Sequence, residues 1–362
     1  MRVVIAPDSF KGSATAAEVA RAIAHGWLSV RSDDDVSVVP MADGGEGTVD
    51  AFEASIVGTR RMPCDVIGPD GRPHQAHWLL LPDGVAVIEM ANTCGITLHR
   101  NLRPLDSSSG PFGEAIAHAL EFGVSGILLA IGSSASTDGG VGMLSALGGR
   151  FMDTKGQQVA LGGRGLSDLA SCDLTMLKAV PARGAMILSD VSNPLLGSTG
   201  AAATFGPQKG ATAAEVDQLD AGLTRLASVM GGDPTEPGAG AAGGTGFGLQ
   251  AWGASTRLGA SVIGELLGLR EKILGADLVI TGEGMFDHQS TAGKAPGHVI
   301  SLARAAGVPV AVVAGRITES TEGFAASLAL EQLAASLESA IESPARYLVK
   351  AAGILASMHD KK

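Results

Sequence analysis

Both ends of this chain carry the same unit: a short apolar run without alternation, then a loop mixing glycine with acids, lysines and hydroxyls, then text of helical period. Residues 3–6 (VVIA) read as a strand buried on both faces, as in a parallel sheet. The loop PDSFKGS follows, and apolar residues recur at helical spacing from Ser13 to Trp27, with Ser13 or Thr15 as N-cap. A second strand, Val36 to Val39, runs into PMADGGEGT and a helix near Thr48 to Glu53. Near the far end, Asp277 to Thr281 is a strand, residues 282–294 a loop, Ala295 to Ala306 a helix and Val308 to Ala314 a strand. Strands alternating with crossover helices predict an α/β fold with a parallel sheet. One domain built from residues 1–65 and 276–362 is expected, with a second inserted at 66–275.

The insert opens as an antiparallel hairpin: a GPDG turn at 68–71, a partly alternating strand, a Pro82-Asp83-Gly84 turn and a second strand. Strands are expected at Gly126 to Ile131 and Ala185 to Ser189. Gly231 to Gly248, rich in Gly, Ala and Pro, reads as a flexible segment or lid rather than core. Leu328 to Ala356 is mostly helix-forming text that closes the terminal domain. The 51 glycines follow no collagen-like period, so they serve turns and close backbone approaches.

A formal charge of -11 argues against a general nucleic-acid binder, but leaves room for an anionic substrate held by local lysines and N–H groups. Cys64, Cys94 and Cys172 show neither a disulfide framework nor a metal pattern, and read as small buried hydrophobes. His74 and His77 lie in the hairpin without a third ligand nearby. There is no signal-like h-region and no apolar stretch of membrane length, so the cytoplasm is the expected location.

Five loops carry the chemistry, each following a strand or opening a helix, where ligands bind in open α/β sheets. The first places Asp8, Ser9, Lys11, Gly12 and Ser13 before a helix N-terminus, where Lys11 is suited to a phosphate or a carboxylate. In the second, Asp43, Gly44, Gly45, Glu46 and Gly47 let backbone approach a ligand closely while carboxylates face it. The third, Gly132 to Gly142, carries Ser134, Ser136, Thr137, Asp138 and Gly139 and resembles a phosphate nest. The fourth runs from Asp190, closing an apolar strand, through Asn193 to Lys209. The fifth contains Glu283, Asp287 and the pair Gly293-Lys294. None is a P-loop, and neither GxSxG nor GxGxxG is correctly placed. Together they form the parts list of phosphoryl transfer: lysines for phosphate charge, carboxylates for Mg²⁺ and a base, glycine loops for N–H contacts.

In this order, the phrases IAPDSFKGS, PMADGGEGT, SASTDGGVGML, DVSNPLLG, FGPQKGA, GAAGGTGFG and DLVITGEGMFDHQSTAGKAP resemble the bacterial type I glycerate kinase family, from the first strand to about Gly315. The resemblance implies a flavodoxin-like (Rossmann-like) domain made from both chain ends and an inserted mixed α/β domain, with the site in the cleft between them. It also implies ATP-dependent, Mg²⁺-assisted phosphorylation of D-glycerate, typically at the 2-hydroxyl. Ser133, Thr137, Met285 and His288 depart from the family's usual glycine, asparagine, arginine and glycine.

In this reading Asp190 steers the hydroxyl proton, and the substrate carboxylate meets Lys11 and the N–H groups of the Asp8–Ser13 loop. Asp43 with Gly44 and Gly45, Glu46, Asn193 and Glu283 contact the substrate. Ser134, Ser136, Thr137, Asp138, Gly139 and Lys294 face the nucleotide phosphates, with Lys209 an alternative phosphate clamp. Asp190, Asp138 and Glu283 are the candidate metal ligands. The partner is a small molecule, not a nucleic acid or a membrane, and the chain is a monomer or homodimer. A same-fold kinase for another small hydroxy acid and a non-catalytic binding protein are the rival readings.

Overall fold

An unalternated apolar strand needs cover on both faces, and a parallel sheet with helices on each side supplies it. The computed structural model describes residues 1–68, 71–288, 290 and 294–359, and they divide into two units: Met1–Asp43, Asp50–Val57 and Gly259–Lys362 in the first, Gly44–Val49 and Gly58–Leu258 in the second. The turn expected at 68–71 includes Pro69 and Asp70, which lie outside the described residues.

In the first unit five strands run parallel, in the spatial order Ala326–Ala329, Val310–Ala314, Leu278–Thr281, Arg2–Ile5, Asp35–Val38. Val3 pairs with Leu278 on one side and Val36 on the other. The chain leaves Arg2–Ile5 in one direction and returns on its other side at Leu278–Thr281, so the switch point falls between these strands. The helix Ala16–Leu28 starts at Thr15, whose hydroxyl accepts from Glu18 N while the Glu18 carboxylate accepts from Thr15 N, a capping box. Its Val19, Ile23 and Trp27 bury against Leu348, Ala351 and Leu355 of the helix Pro344–Met358. A Cβ at Gly26 would overlap the Val349 carbonyl, so glycine lets these helices approach.

The second unit has a six-stranded sheet in the order Ser255–Arg257, Ala185–Leu188, Gly126–Ala130, Val85–Glu89, Pro73–Leu80, Arg60–Ile67. The first four are parallel; Pro73–Leu80 runs antiparallel to Val85–Glu89, the expected hairpin, and also to Arg60–Ile67. Trp78, Phe112, Phe151 and Phe247 lie in its core.

Four differences from expectation stand out. The stretch Arg60–Ile67 belongs to the second unit because it pairs with Pro73–Leu80 from Arg60↔Leu80 to Ile67↔Pro73. The helices Gly259–Leu266 and Leu269–Ile273 belong to the first. Leu328 and Ala329, read as the start of helix-forming text, instead end the edge strand Ala326–Ala329, held by pairing from Ala311↔Ala326 to Ala314↔Ala329 that overrides alanine's weak strand preference. Residues 238–248 are not a lid: Ala239 and Ala241 are buried, and Thr245–Trp252 is a helix. A Cβ at Gly240 would overlap the Pro194 carbonyl, and one at Gly243 the Ser136 carbonyl. The glycines here serve dense backbone packing.

The three cysteines are free; Cys64 and Cys94 are buried, while Cys172 is partly exposed. His74 meets the Asn92 carbonyl at 2.9 Å. Among the described residues no helix is long and apolar enough to cross a membrane.

Asp34 anchors the far end of the Ala16–Leu28 helix. Its carboxylate accepts from Arg31 Nε at 2.6 Å, Trp27 Nε1 at 2.9 Å and the Met1 amine at 2.6 Å. The Arg31 bond, foremost, holds its pKa below the usual range. That stabilisation is present above the ordinary carboxylate pKa and drains as pH falls below about 4. Asp34→Ala is expected to cost about 3 kcal/mol at neutral pH in urea unfolding, a loss that shrinks in acid; a cost under about 0.5 kcal/mol would show the cluster to be decorative.

Candidate active site

Three adjacent strands of the first unit release their loops at one edge, and backbone contacts lock these loops together. Asp8 N donates to the Gly282 carbonyl at 2.8 Å, and Gly315 N to the Glu283 carbonyl at 3.1 Å. Thr281 Oγ1 donates to the Ala6 carbonyl at 2.8 Å. Around them lies a cavity of about 340 Å³ whose polar walls include Asp8, Lys11, Asp43, Glu283, Lys294 and Arg316. Ser9 also lines it, and Gly12 sits beside Lys11 with φ 77°, exposed. Lys294 is the N-cap of the helix Ala295–Ala305; Gln289, Thr291, Ala292 and Gly293 of this loop lie outside the described residues.

The carboxyls of this cavity are crowded and dry. Asp8 is 6% exposed, and burial, then Asp43, pushes its pKa up to about 8. The Ser9 N–H, 2.6 Å from Asp8 Oδ1, opposes the rise, Glu283 adds to it and Lys11 lowers it. Glu283 is also raised, first by burial, against the Ser290 hydroxyl and Lys294. Its Oε1 is buried with no hydrogen-bond partner among the described residues.

The second unit gathers the remaining candidates. The segment Gly44–Val49 is held by Glu89, at the end of the strand Val85–Glu89, which accepts from Gly47 N at 2.8 Å and Val49 N at 3.1 Å. A Cβ at Gly44, φ 93°, would stand 2.5 Å from the Leu188 carbonyl oxygen, and Gly132 N donates to the Gly44 carbonyl at 3.1 Å. Glu46 is exposed. Asp190, half-buried, follows the strand Ala185–Leu188 beside the strand that feeds the Gly132–Gly139 loop. Asn193 spends its amide bracing that region, donating to the Thr199 carbonyl at 2.8 Å.

Several candidates turn inward instead of facing a ligand. Asp138, fully buried, accepts through Oδ2 from Ser109 N, Ser109 Oγ, Ser108 Oγ and Gly142 N, and through Oδ1 from Gly140 N. Five donors converge on this carboxylate, four of them on Oδ2, so in the structure it organises the loop from inside. Ser136 and Thr137 are fully buried as well. Lys209, 2% exposed, donates to Ser134 Oγ at 2.8 Å and the Ser136 carbonyl at 2.5 Å, and burial pushes its pKa down to about 8. In the structure it braces the loop from inside.

Sequence reading missed Glu89 and Arg316. Glu89 left one signal, an acid closing an otherwise apolar strand. Arg316 left none, because it joins the cavity wall only through the pairing Met285↔Arg316.

Two expectations follow. Ser133 sits at φ 61°, a left-handed conformation costly for a residue with a Cβ. Ser133→Gly should raise stability by about 0.5–1 kcal/mol in urea unfolding; a decrease would mean the serine hydroxyl outweighs the strain. Asp8 keeps its proton in the folded chain to about pH 8, whereas the unfolded chain releases it near 3.8. The protonated form's contribution is therefore complete below about pH 4 and drains as pH rises toward 8. Asp8→Asn should be more stable than the parent by a margin that widens over this window; a flat margin would count against a protonated Asp8.

Comparison with known proteins identifies the family. The glycerate kinase family model matches residues 3–360. The chain is 40% identical to a glycerate kinase of Bacillus subtilis (strain 168), over 99% of this chain and 97% of that one. It is 42% identical to a glycerate 2-kinase of Escherichia coli (strain K12), over 88% and 86%. A crystal structure of a protein designated glycerate kinase 2, from Salmonella typhimurium LT2, superposes with a TM-score of 0.83 at 39% identity, covering 99% of this chain and 98% of that chain. This chain belongs to the glycerate kinase family, and is a kinase that transfers a phosphoryl group to an alcohol.

Proposed function

We propose that the chain transfers the γ-phosphoryl group of ATP to the 2-hydroxyl of D-glycerate, giving 2-phosphoglycerate and ADP, in the cytoplasm. The observation that carries this reading is the first unit's cavity, where Lys11, Lys294 and Arg316 share a small space with Asp8, Asp43 and Glu283. A small anion rich in hydroxyls answers both sets of groups: cations for its carboxylate, carboxyl oxygens for its hydroxyl protons. With Asp8 protonated, the pocket loses one negative charge that would repel the substrate. Lys11 and the N–H groups of its loop receive the substrate carboxylate.

In the second unit, Glu89 and Lys209 hold the Gly44–Val49 and Ser134–Gly139 loops in shape, so that backbone N–H groups are offered to the nucleotide phosphates. Asp190, at the carboxyl end of its strand, takes or steers the proton of the attacking hydroxyl. Phosphoryl transfer asks little covalent chemistry of a protein, so positioning of this kind dominates.

Mg²⁺ fits the donor set in its usual manner. Among the described residues no three acidic, histidine or cysteine side chains converge to cage a metal. Mg²⁺ habitually needs only one or two carboxylates besides substrate phosphates and water. Glu283, with its buried unpartnered Oε1, is the residue of the first unit that would hold it. When bound, it neutralises the charge on the β- and γ-phosphates.

Asp190→Asn is expected to lower kcat by about 10²–10⁴-fold with an unchanged melting transition; near-parental turnover would remove Asp190 as the base. Phosphorus NMR of the product identifies the acceptor, and 3-phosphoglycerate would overturn the assignment to the 2-hydroxyl.

A further inference from the structure

Arg316 lies outside every loop that the sequence marked as chemical, yet it lines the same cavity as Asp8, Lys11 and Glu283. Its place is set from several sides. Met285 and Arg316 are parallel-paired, and Arg316 N donates to the Gly284 carbonyl at 3.1 Å. The preceding Gly315 would place a Cβ 2.5 Å from the Gly284 carbonyl oxygen, so the two loops ride directly on one another. At the other end of the side chain, Nε pairs with Glu331 Oε2 at 3.0 Å. Glu331 is itself tethered, its N–H donating to the Gly315 carbonyl at 3.1 Å.

Glu331 therefore grips one nitrogen of the guanidinium, and the two terminal nitrogens have no partner among the described residues. A guanidinium oriented through Nε presents a flat pair of donors matched to a carboxylate, whereas an exposed lysine offers only a mobile point charge. Asp43, Asp287 and Lys294 complete the charged part of the wall, and Phe10, Leu330, Ala340 and Ile341 form an apolar part. At about 340 Å³ the cavity lies at the low end for ligand pockets, suited to a small acid better than to a nucleotide.

We infer that Arg316, oriented by Glu331, is a specificity-determining residue that binds the carboxylate of the hydroxy-acid substrate and selects it over neutral polyols. This rests on the functional reading above and adds to Lys11 a second, geometrically fixed contact.

The test is steady-state kinetics of the full chain with ATP, using glycerate and glycerol as acceptors, for Arg316→Ala, Arg316→Lys and Glu331→Gln. Arg316→Ala should raise KM for glycerate by about 10–100-fold, leave KM for ATP and the melting transition within error, and reduce the preference for glycerate over glycerol by a similar factor. Arg316→Lys should recover only part of the loss, and Glu331→Gln should fall between it and the parent. An unchanged KM for glycerate overturns the inference, as does a loss confined to kcat or to KM for ATP, which would assign Arg316 to the fold or to the nucleotide. If the parent chain turns over no glycerate, the functional reading fails separately. Calorimetric titration with tartronate then decides Arg316: at least tenfold weaker binding by Arg316→Ala supports the carboxylate contact, and equal binding or none by either protein overturns it.

Discussion

Backbone packed directly on backbone, at places where a Cβ would collide, is the constraint on which both units depend. In the first unit a Cβ at Gly282 would overlap the Val313 carbonyl, and one at Gly315 would crowd the Gly284 carbonyl. Removing side chains from these crossings lets loops from adjacent strands stack within hydrogen-bond distance, and so draws Asp8, Glu283 and Arg316 to one cavity. In the second unit Gly44 against Leu188, and Gly243 against Ser136, do the same for the Gly44–Val49 and Ser134–Gly139 loops. The abundance of glycine is thus a requirement of loop stacking, and only secondarily one of chain flexibility.

Such stacking buries polar groups, and their burial decides their roles. Asp138 and Lys209 look alike in sequence as charges in glycine-rich loops, and both prove to be internal supports. Each is dry but supplied with partners, as buried ionisable groups require. Asp8 and Glu283 are buried without full compensation, and both carboxyls are shifted upward. Incompletely satisfied, perturbed groups lining a cavity mark where ligand chemistry is expected.

Much of this was legible from residues alone. Unalternated runs such as residues 3–6 and 277–281 identified parallel strands, because burial on both faces leaves that local mark. The capping box at Thr15 and Glu18 likewise lies within four residues. Other features were not local. Ala326–Ala329 is a strand because Val310–Ala314 offers an edge, and residues 238–248 are core because Pro194 and Ser136 cover them. The strain at Ser133 is a fact about φ that no side-chain pattern announces.

The sequence by itself determined the order of strands, loops and helices, the α/β class and the family, since these follow from periodicity and from ordered phrases along the chain. It also determined which loops carry acids, lysines and hydroxyls. Only the tertiary structure decided which of those groups open onto a cavity and which are sealed inside, and only it brought Glu89 to Gly47 and Arg316 to the cavity that Glu283 lines. The physical reason is that dielectric surroundings and hydrogen-bond partners are set by segments tens to hundreds of residues distant, and local pattern carries no record of them.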